Sequence, residues 1–430
     1  MRNLVACEEE GWHFWLRLFP AAVFLFILPI NHTIALRLTA LLLAWAIAVQ
    51  VIYRKHSTLE LPLKIPIFSW AALALLSLLW AADPVYSLRE VKDEIAYAFI
   101  TFFTFFVLSK NRKAFLFFIA TITVGFLFLS GTIALAHTRF GEWRAEGFPG
   151  NVGTFSTYLV TVLPFLVLAI IYNLKHKWLA YVSFVALAFL LLYTGYLTLN
   201  RAIWPATLLS GIIFGVLYFI KAERPRAKKS ALLVLFVFSG MALFQFISVT
   251  EEKSLALQQP SSITLSISKD LRIPLWRYTA EKIADNPVFG AGFGKRVLEN
   301  DFKAKFSNTN LWHAHNLLLN YALQLGVAGV AVLVFLFLSI YREFWRLYCA
   351  NDEKVYLLGI CGIALVTGVL AKNMTDDFFV RDNALLFWAL VGMSLGFGNR
   401  QMAVYNNQKS DNTASLGSGF SPKALDRSDC

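Results

Sequence analysis

Residues 114–136 read AFLFFIATITVGFLFLSGTIALA, and this stretch decides the fold class. It contains no charged side chain and exceeds the roughly 20 apolar residues that cross a hydrocarbon core about 30 Å thick. Arg112 and Lys113 stand immediately before it. An uninterrupted apolar run of this length, with basic residues at one end, indicates a transmembrane helix.

The rest of the chain is also rich in apolar residues and poor in charged ones. Of its 430 residues, 57% are hydrophobic and 15% are charged, whereas a soluble domain is about one quarter charged. The net charge of +12 is carried by short basic clusters between apolar runs, which suits loops against an anionic leaflet and not a nucleic-acid-binding stripe. We therefore predict an all-α integral membrane protein that contacts membrane lipids and no nucleic acid. The four cysteines form no C-x-x-C pair, so we expect no zinc site.

We predict about 12 transmembrane helices and one long loop that itself contains helices. The predicted spans are residues 14–31, 34–53, 65–82, 94–109, 114–136, 152–172, 178–197, 202–220, 231–249, 316–341, 355–371 and 384–398. The chain then divides into residues 1–249 with helices 1–9, the long loop 250–315, residues 316–398 with helices 10–12, and a disordered tail, 399–430.

The basic residues fall in alternate loops between these spans. Such clusters lie at 54–64, 110–113, 175–177, 221–229 and 342–354, followed by Arg400. The positive-inside rule places this set of loops, the tail and both termini in the cytoplasm. The other set includes residues 137–151, 250–315 and 372–383, which we expect on the opposite face together with any chemistry.

Two arginine elements on that outer face are candidates for binding an anion. Arg201 stands in LTLNRAIWPA, where an unpaired arginine at membrane depth costs at least about 2.5 kcal/mol, so a functional role is favoured. The alternative is an interfacial arginine beside Trp204 in an aromatic belt. Arg272 and Trp276 lie four residues apart on one face of a helix predicted over 269–284, with Arg277 next to them.

A glycine-rich run follows, at Gly290-Ala291-Gly292-Phe293-Gly294. It lacks the strand and helix context of a dinucleotide-binding fingerprint. Two interpretations stay open: a flexible loop that re-enters the membrane interface, or a backbone that closes over a phosphate.

The third candidate is His313-Ala314-His315-Asn316, at the outer mouth of the tenth span. The histidines are candidates for a metal pair, a polar helix cap, or a general base, for which an ordinary pKa near 6.5 is suited. Gly326 and Gly329 follow on one helix face, where small residues let a neighbour approach closely.

The outer face thus collects permanent cations and one base, which suits displacement of a diphosphate leaving group. The set is Arg139, Arg144, Arg201, Arg272 and Arg277, with His315. A metal-dependent transferase would need a carboxylate pair such as Asp-x-Asp in its first outer loop, but that loop is only Asn31-His32-Thr33. We therefore expect no metal.

The sequence resembles the O-antigen ligase family, within the superfamily of O-antigen ligases and polymerases. His315-Asn316, nine residues and then Gly326-x-x-Gly329 match the pattern H-[NSQ]-x9-G-x-x-G. The weaker elements are Asn200-Arg201-Ala202, Arg272-x3-Trp276, Pro287-x2-Gly290-x-Gly292 and the stretch from Arg144 to Asn151. Together these motifs cover about residues 140–330.

The resemblance implies a glycosyltransferase of lipopolysaccharide biosynthesis in the bacterial inner membrane. It implies transfer of O-antigen polysaccharide from undecaprenyl diphosphate to lipid A-core at the periplasmic face, with inversion and without metal or cofactor. By motif position, His315 is then the general base, and Arg201 and Arg272 hold the donor diphosphate. The expected substrate-binding residues are Arg139, Arg144, Asn151, Trp276, Arg277, His313, Asn316, Asp376 and Asp377.

Some alternatives stay open. Two roles stay open for Asp376 and Asp377: they orient His315 or an arginine, or they merely solvate a loop. The sequence slightly favours the solvated loop. An O-antigen polymerase elongates the glycan on undecaprenyl diphosphate instead of ligating it, and a protein O-oligosaccharyltransferase transfers it to a pilin serine. A lipid-linked glycan flippase is disfavoured, because we find no internal repeat and the polar set is one-sided.

Overall fold

The computed structural model describes residues 11–55, 60–140, 152–173, 177–223, 225–256, 271–306, 311–377, 379 and 381–417. Within these ranges the chain is helical and contains no strand, which confirms the predicted all-α fold. The α-helices are α1 (Trp12–Ile27), α2 (Ile34–Lys55), α3 (Lys64–Leu76), α4 (Pro84–Glu90), α5 (Tyr97–Leu108), α6 (Arg112–Phe140), α7 (Val152–Asn173), α8 (Lys177–Leu197), α9 (Ile203–Lys221), α10 (Pro225–Ala256), α11 (Arg272–Asp285), α12 (Glu299–Lys305), α13 (Leu317–Tyr348), α14 (Glu353–Asn373) and α15 (Arg381–Gly417). A 3-10 turn (Ser77–Leu79) follows α3, and a π-helical turn (Val91–Ala96) precedes α5.

Eight helices among the described residues are long and apolar enough to cross a membrane, so this is a multi-pass membrane protein. They are α2, α6, α7, α8, α9, α10, α13 and α14. Shorter apolar helices, Trp12–Ile27 and Lys64–Leu79, lie at two more of the predicted spans, and the remaining two predicted spans fall in α5 and the first half of α15. The count of 12 and the orientation stay predictions.

Two boundaries differ from the predicted divisions. Helix α10 continues to Ala256, so part of the segment expected to begin the long loop at residue 250 is helical. The described remainder of that loop contains α11, close to the helix predicted over 269–284, and α12. Helix α15 extends to Gly417, into the tail predicted to be disordered from 399, and Asn399 accepts a hydrogen bond from Arg346 (Nη2–Oδ1, 2.6 Å).

The core of the bundle is formed by α14, which packs against α7, α9 and α13, and by α15, which packs against α5. Helices α15 and α5 approach at backbone distance, since a Cβ added at Gly392 would lie 2.5 Å from the Phe102 carbonyl oxygen. In contrast, α8 and α10 leave most of their apolar surface uncovered, as expected of helices that face lipid. The loops that join these helices at one end carry the candidate site.

Candidate active site

A buried carboxylate, Asp376, connects three segments that are far apart in the sequence. It lies between α14 and α15 and is 5% exposed. Its Oδ1 accepts a hydrogen bond from Arg272 Nη2 at 2.7 Å, at the start of α11. Its Oδ2 accepts one from Asn200 Nδ2 at 3.0 Å, in the turn between α8 and α9, and another from Lys372, at the end of α14. These four residues are called the Asp376 cluster below.

The Asp376 cluster pairs one carboxylate with two basic side chains. Burial raises the pKa of the Asp376 carboxyl, but Lys372 and Arg272 outweigh burial and hold it below its usual range. Asp376 is therefore ionised, and its single negative charge faces two cations. Lys372 is fully buried, whereas the Arg272 side chain is 29% exposed, so Arg272 is the member that can meet an anion from outside.

Asn200 places Arg201 beside this cluster. The Asn200 Nδ2 group also donates to Ser156 Oγ at 3.0 Å, and its Oδ1 accepts from the Ala202 backbone N–H at 3.0 Å. The side chain of Asn200 therefore contacts both the Ala202 backbone of the turn and Asp376, and Arg201 lies between Asn200 and Ala202. The predicted arginine elements at Arg201 and Arg272 are thus joined through Asn200 and Asp376.

The segment 311–316 presents His315 at the mouth of α13. Trp276 Nε1 donates to the Ala314 carbonyl at 2.9 Å, so the R-x3-W helix α11 holds the histidine segment directly. Asn316, not a histidine, caps α13: its Oδ1 accepts from Leu319 N at 3.0 Å, and its Nδ2 donates to the Met374 carbonyl at 2.8 Å. His315 itself has φ +48°, a left-handed backbone that costs about 1–2 kcal/mol and is held by these neighbours.

His313 is buried beside His315. It is 5% exposed, and its ring centre lies 3.8 Å from that of His315. Burial lowers the pKa of His313, and the nearby Lys295, His315 and Arg296 lower it further, so this imidazole is neutral. No group of three or more His, Cys, Asp or Glu side chains in the described ranges is arranged to hold a metal ion.

Asp377 forms a second buried ion pair. It is 2% exposed, its Oδ2 lies 3.5 Å from Lys295 Nζ, and Asn320 donates to the same oxygen. Asn320 also accepts from the Ala314 N–H at 3.0 Å, which connects Asp377 to the histidine segment. The interpretation that Asp376 and Asp377 merely solvate a loop is wrong, because both charges are buried and therefore need cationic and hydrogen-bonding partners.

The glycine-rich run 290–294 matches neither of its two sequence interpretations. Its five consecutive backbone N–H groups all donate within the protein, to Asn286 O, Leu323 O, Gln324 O, Ser77 Oγ and Gln324 Oε1 in order. A run held in this way is not a flexible loop. Its amides are also already used and do not form a phosphate cradle.

The same contacts explain why two separate glycine motifs occur. Gly326 has φ +62° and ψ −157°, which kinks α13. The Pro287–Gly290 segment packs against this kink, and Val327 N donates to the Pro287 carbonyl at 2.9 Å. A Cβ at Gly290 would lie 2.5 Å from the Gln324 carbonyl oxygen. What approaches Gly326 is therefore this segment and not a neighbouring helix as predicted.

Other predicted residues are not brought into the site. Arg139 is exposed at the end of α6, and Arg277 is exposed on α11, while Arg272 and Trp276 on the same helix are half-buried. Among the described residues Asp376 contacts Arg272, Asn200 and Lys372, and neither Arg139 nor Arg277 is one of these partners. Arg144 and Asn151 lie outside the described residues.

Sequence reasoning missed Asn200, Asn320, Lys295 and Lys372 as individual residues. A signal existed for two of them. Lys372 and Asp376 are four residues apart, the spacing of an intrahelical ion pair, and Asn200 is the first residue of the N-R-A element. Lys295 and Asn320 had none, since their partner Asp377 is distant in the chain.

Comparisons with known proteins agree with the motif resemblance. Residues 186–334 match the family model of O-antigen ligase. A protein of Rickettsia bellii (strain RML369-C), described as a candidate polysaccharide ligase, is 25% identical over 350 residues, which is 76% of this chain and 78% of that protein. The resemblance to the O-antigen ligase family is therefore confirmed, and the matched region contains Arg201, Arg272 and His315.

Proposed function

We propose that this protein ligates O-antigen polysaccharide from undecaprenyl diphosphate to lipid A-core, at the periplasmic face of the bacterial inner membrane. The family match supports a ligase- or polymerase-type glycosyltransferase. The observation that carries the proposal is the convergence of the N-R-A turn, the R-x3-W helix and the histidine segment on Asp376 and its neighbours. Motifs that are distant in sequence then serve one reaction centre.

In this proposal His315 takes the proton of the acceptor hydroxyl as that oxygen attacks the anomeric carbon of the donor sugar. The new glycosidic C–O bond forms on the face opposite the diphosphate, which inverts the anomeric centre. The bond to the diphosphate oxygen breaks, and that oxygen keeps the electron pair. His315 holds the proton at the end of the step.

Arg272 and Arg201 stabilise the charge on the leaving diphosphate. Arginine keeps its charge at any working pH and binds phosphate through two parallel N–H groups. Asp376 holds Arg272 in place through a hydrogen bond of 2.7 Å, and Lys372 contacts the other oxygen of the same carboxylate. A pre-oriented positive charge of this kind favours the transition state, where negative charge on the leaving group has grown.

The test is glycan transfer by purified protein in detergent, with undecaprenyl diphosphate-linked glycan and lipid A-core. We expect a lipid A-core product from wild type and from His13→Ala, which changes an exposed histidine at the start of α1, and none from His315→Ala. Near-normal ligation by His315→Ala would remove the proposed base. EDTA should leave the rate unchanged, and loss restored by a divalent cation would contradict the metal-free mechanism.

The same assay separates the competing activities. Longer undecaprenyl-linked chains without a lipid A-core product would make the protein a polymerase, and transfer to a serine-containing pilin would make it a protein O-oligosaccharyltransferase. A flippase would form no new bond in detergent under any of these conditions.

A further inference from the structure

Four flat groups form a continuous row of contacts that ends at His315, with neighbouring rings tilted by 38–39°. The His315 ring lies 3.8 Å from His313, His313 lies 4.0 Å from the Trp312 indole, and the Arg296 guanidinium carbon lies 4.9 Å from the Trp312 ring centre. His315 belongs to the family motif, whereas Arg296 and Trp312 lie outside the motifs. This row leads from the proposed base to the half-exposed guanidinium of Arg296.

The backbone of Arg296 and the two residues before it are held by contacts with other segments. Its N–H donates to the Tyr86 hydroxyl at 3.0 Å. The residue before it, Lys295, is tied to Asp377, and Gly294 donates to Gln324 Oε1 at 2.8 Å. Arg296 therefore stands on a rigid support next to the base, so less conformational entropy is lost when its side chain binds a ligand.

The acidic groups around Arg296 neutralise its positive charge only in part. Its side chain is 52% exposed, and its Nε lies 3.8 Å from Glu299 Oε2, near the outer limit of an ion pair. Lys303 approaches the same carboxylate more closely, at 2.6 Å, and neutralises it. Glu90 also faces Arg296, but burial raises the pKa of that carboxyl and weakens it as a counter-charge.

We propose that Arg296, backed by the face of Trp312, binds a phosphate group of a glycolipid substrate beside His315. This inference rests on the proposed function and adds a binding subsite to it. A guanidinium against an indole is partly desolvated and oriented, and its outward N–H groups match two phosphate oxygens. Neutral His313 separates this cation from His315, so the subsite does not add a second charge next to the base.

Two phosphates have the required chemistry: those on the core sugars of the acceptor and the diphosphate of the donor. The experiment measures binding of lipid A-core, before and after phosphatase treatment, and of undecaprenyl diphosphate to full-length protein in detergent. The variants are Arg296→Gln and Arg296→Lys. The matched control is Arg89→Gln, which changes an exposed arginine on α4.

We expect Arg296→Gln to weaken binding of one phosphorylated lipid about 10-fold or more, the usual effect of losing a charge-assisted hydrogen bond. Arg296→Lys should recover part of this loss, and Arg89→Gln should match wild type. Loss confined to native lipid A-core identifies the acceptor phosphate, and loss confined to undecaprenyl diphosphate identifies the donor. In transfer assays the corresponding KM rises while kcat is largely kept.

Equal binding of all three lipids to wild type and Arg296→Gln would overturn the subsite. So would equal weakening for native and phosphatase-treated lipid A-core with undecaprenyl diphosphate unaffected, because the lost contact is then not with phosphate. The binding measurement needs no turnover. Absence of transfer by wild type therefore argues against the proposed function, while the binding data still decide the subsite.

Discussion

Replacing Gly326 by alanine tests whether the kink in α13 and the Pro287–Gly294 segment form one unit. Gly326 has φ +62° and ψ −157°, a region of backbone conformation that is essentially restricted to glycine. An added Cβ would overlap the carbonyl of Val288 and would lie 2.7 Å from the Pro287 carbonyl oxygen. The obstacle is backbone, so it cannot be relieved by a side-chain rotation, and the segment must move.

The magnitude follows from what that movement breaks. A non-glycine residue in this conformation costs about 1–3 kcal/mol. Moving the segment also disrupts three hydrogen bonds, from Val327 N, Ala291 N and Gly292 N, each worth about 1 kcal/mol. We expect Gly326→Ala to lower the free energy of unfolding by about 4–6 kcal/mol. With an unfolding entropy of about 2.1 cal/mol/K per residue, Tm should fall by about 5 °C.

The assay is thermal unfolding of purified protein in detergent, followed by intrinsic tryptophan fluorescence. The control is Gly240→Ala in α10, where an added Cβ has no heavy atom within 4 Å, so this change should be neutral or slightly stabilising. We also expect Gly326→Ala to impair transfer, because the displaced segment leads directly to Lys295 and its pair with Asp377. Equal melting temperatures for the two variants would refute the reasoning.

Three further predictions concern the charged groups. Asp376→Asn should lower the free energy of unfolding by about 3–5 kcal/mol, because it removes the carboxylate that pairs with buried Lys372 and half-buried Arg272. Since the folded-state pKa of Asp376 is lowered, its stabilisation is complete above the unfolded pKa of about 3.9 and is lost as pH falls through the folded value, an acid dependence that the variant should lack in unfolding measured against pH. Arg201→Lys should reduce transfer about 10-fold or more, because an ammonium does not reproduce the two-pronged contact to a diphosphate, and wild-type rates would indicate a merely interfacial arginine. Because burial lowers the pKa of His313, only the unfolded chain binds a proton at this residue below about pH 6.5, and the free energy of unfolding should fall there by up to about 1.4 kcal/mol per pH unit. His313→Gln should flatten this slope in melting curves taken from about pH 7.5 to 5.5, and an unchanged slope would contradict a neutral buried imidazole.

The position of Asp376 explains why the arginine motifs occur together. Arg272 lies on α11 and Asn200 precedes Arg201 in a turn, yet both donate to the same carboxylate. A buried carboxylate with cations from separate elements fixes the relative positions of those elements, because any displacement leaves a buried charge unpaired. We therefore expect substitutions in this cluster to alter both stability and transfer.

Local sequence patterns were sufficient for the features that depend on neighbouring residues. Apolar runs such as residues 114–136 must be helical in lipid, because every backbone N–H and C=O group then bonds within its own segment. The histidine pattern and the R-x3-W spacing likewise indicated the family and the helix that carries Arg272, since both depend on residues close together in the chain.

Tertiary structure alone decided which of these residues meet. The sequence favoured a solvated loop for Asp376 and Asp377. Only contacts with distant segments bury them: Asp376 meets Arg272 of α11 and Asn200 of the α8–α9 turn, and Asp377 meets Lys295. The glycine run read as a loose loop or a phosphate cradle, because its hydrogen-bond acceptors at Leu323 and Gln324 are distant in sequence. Charge pairing and backbone packing act through space, so the linear order of residues carries no direct record of them.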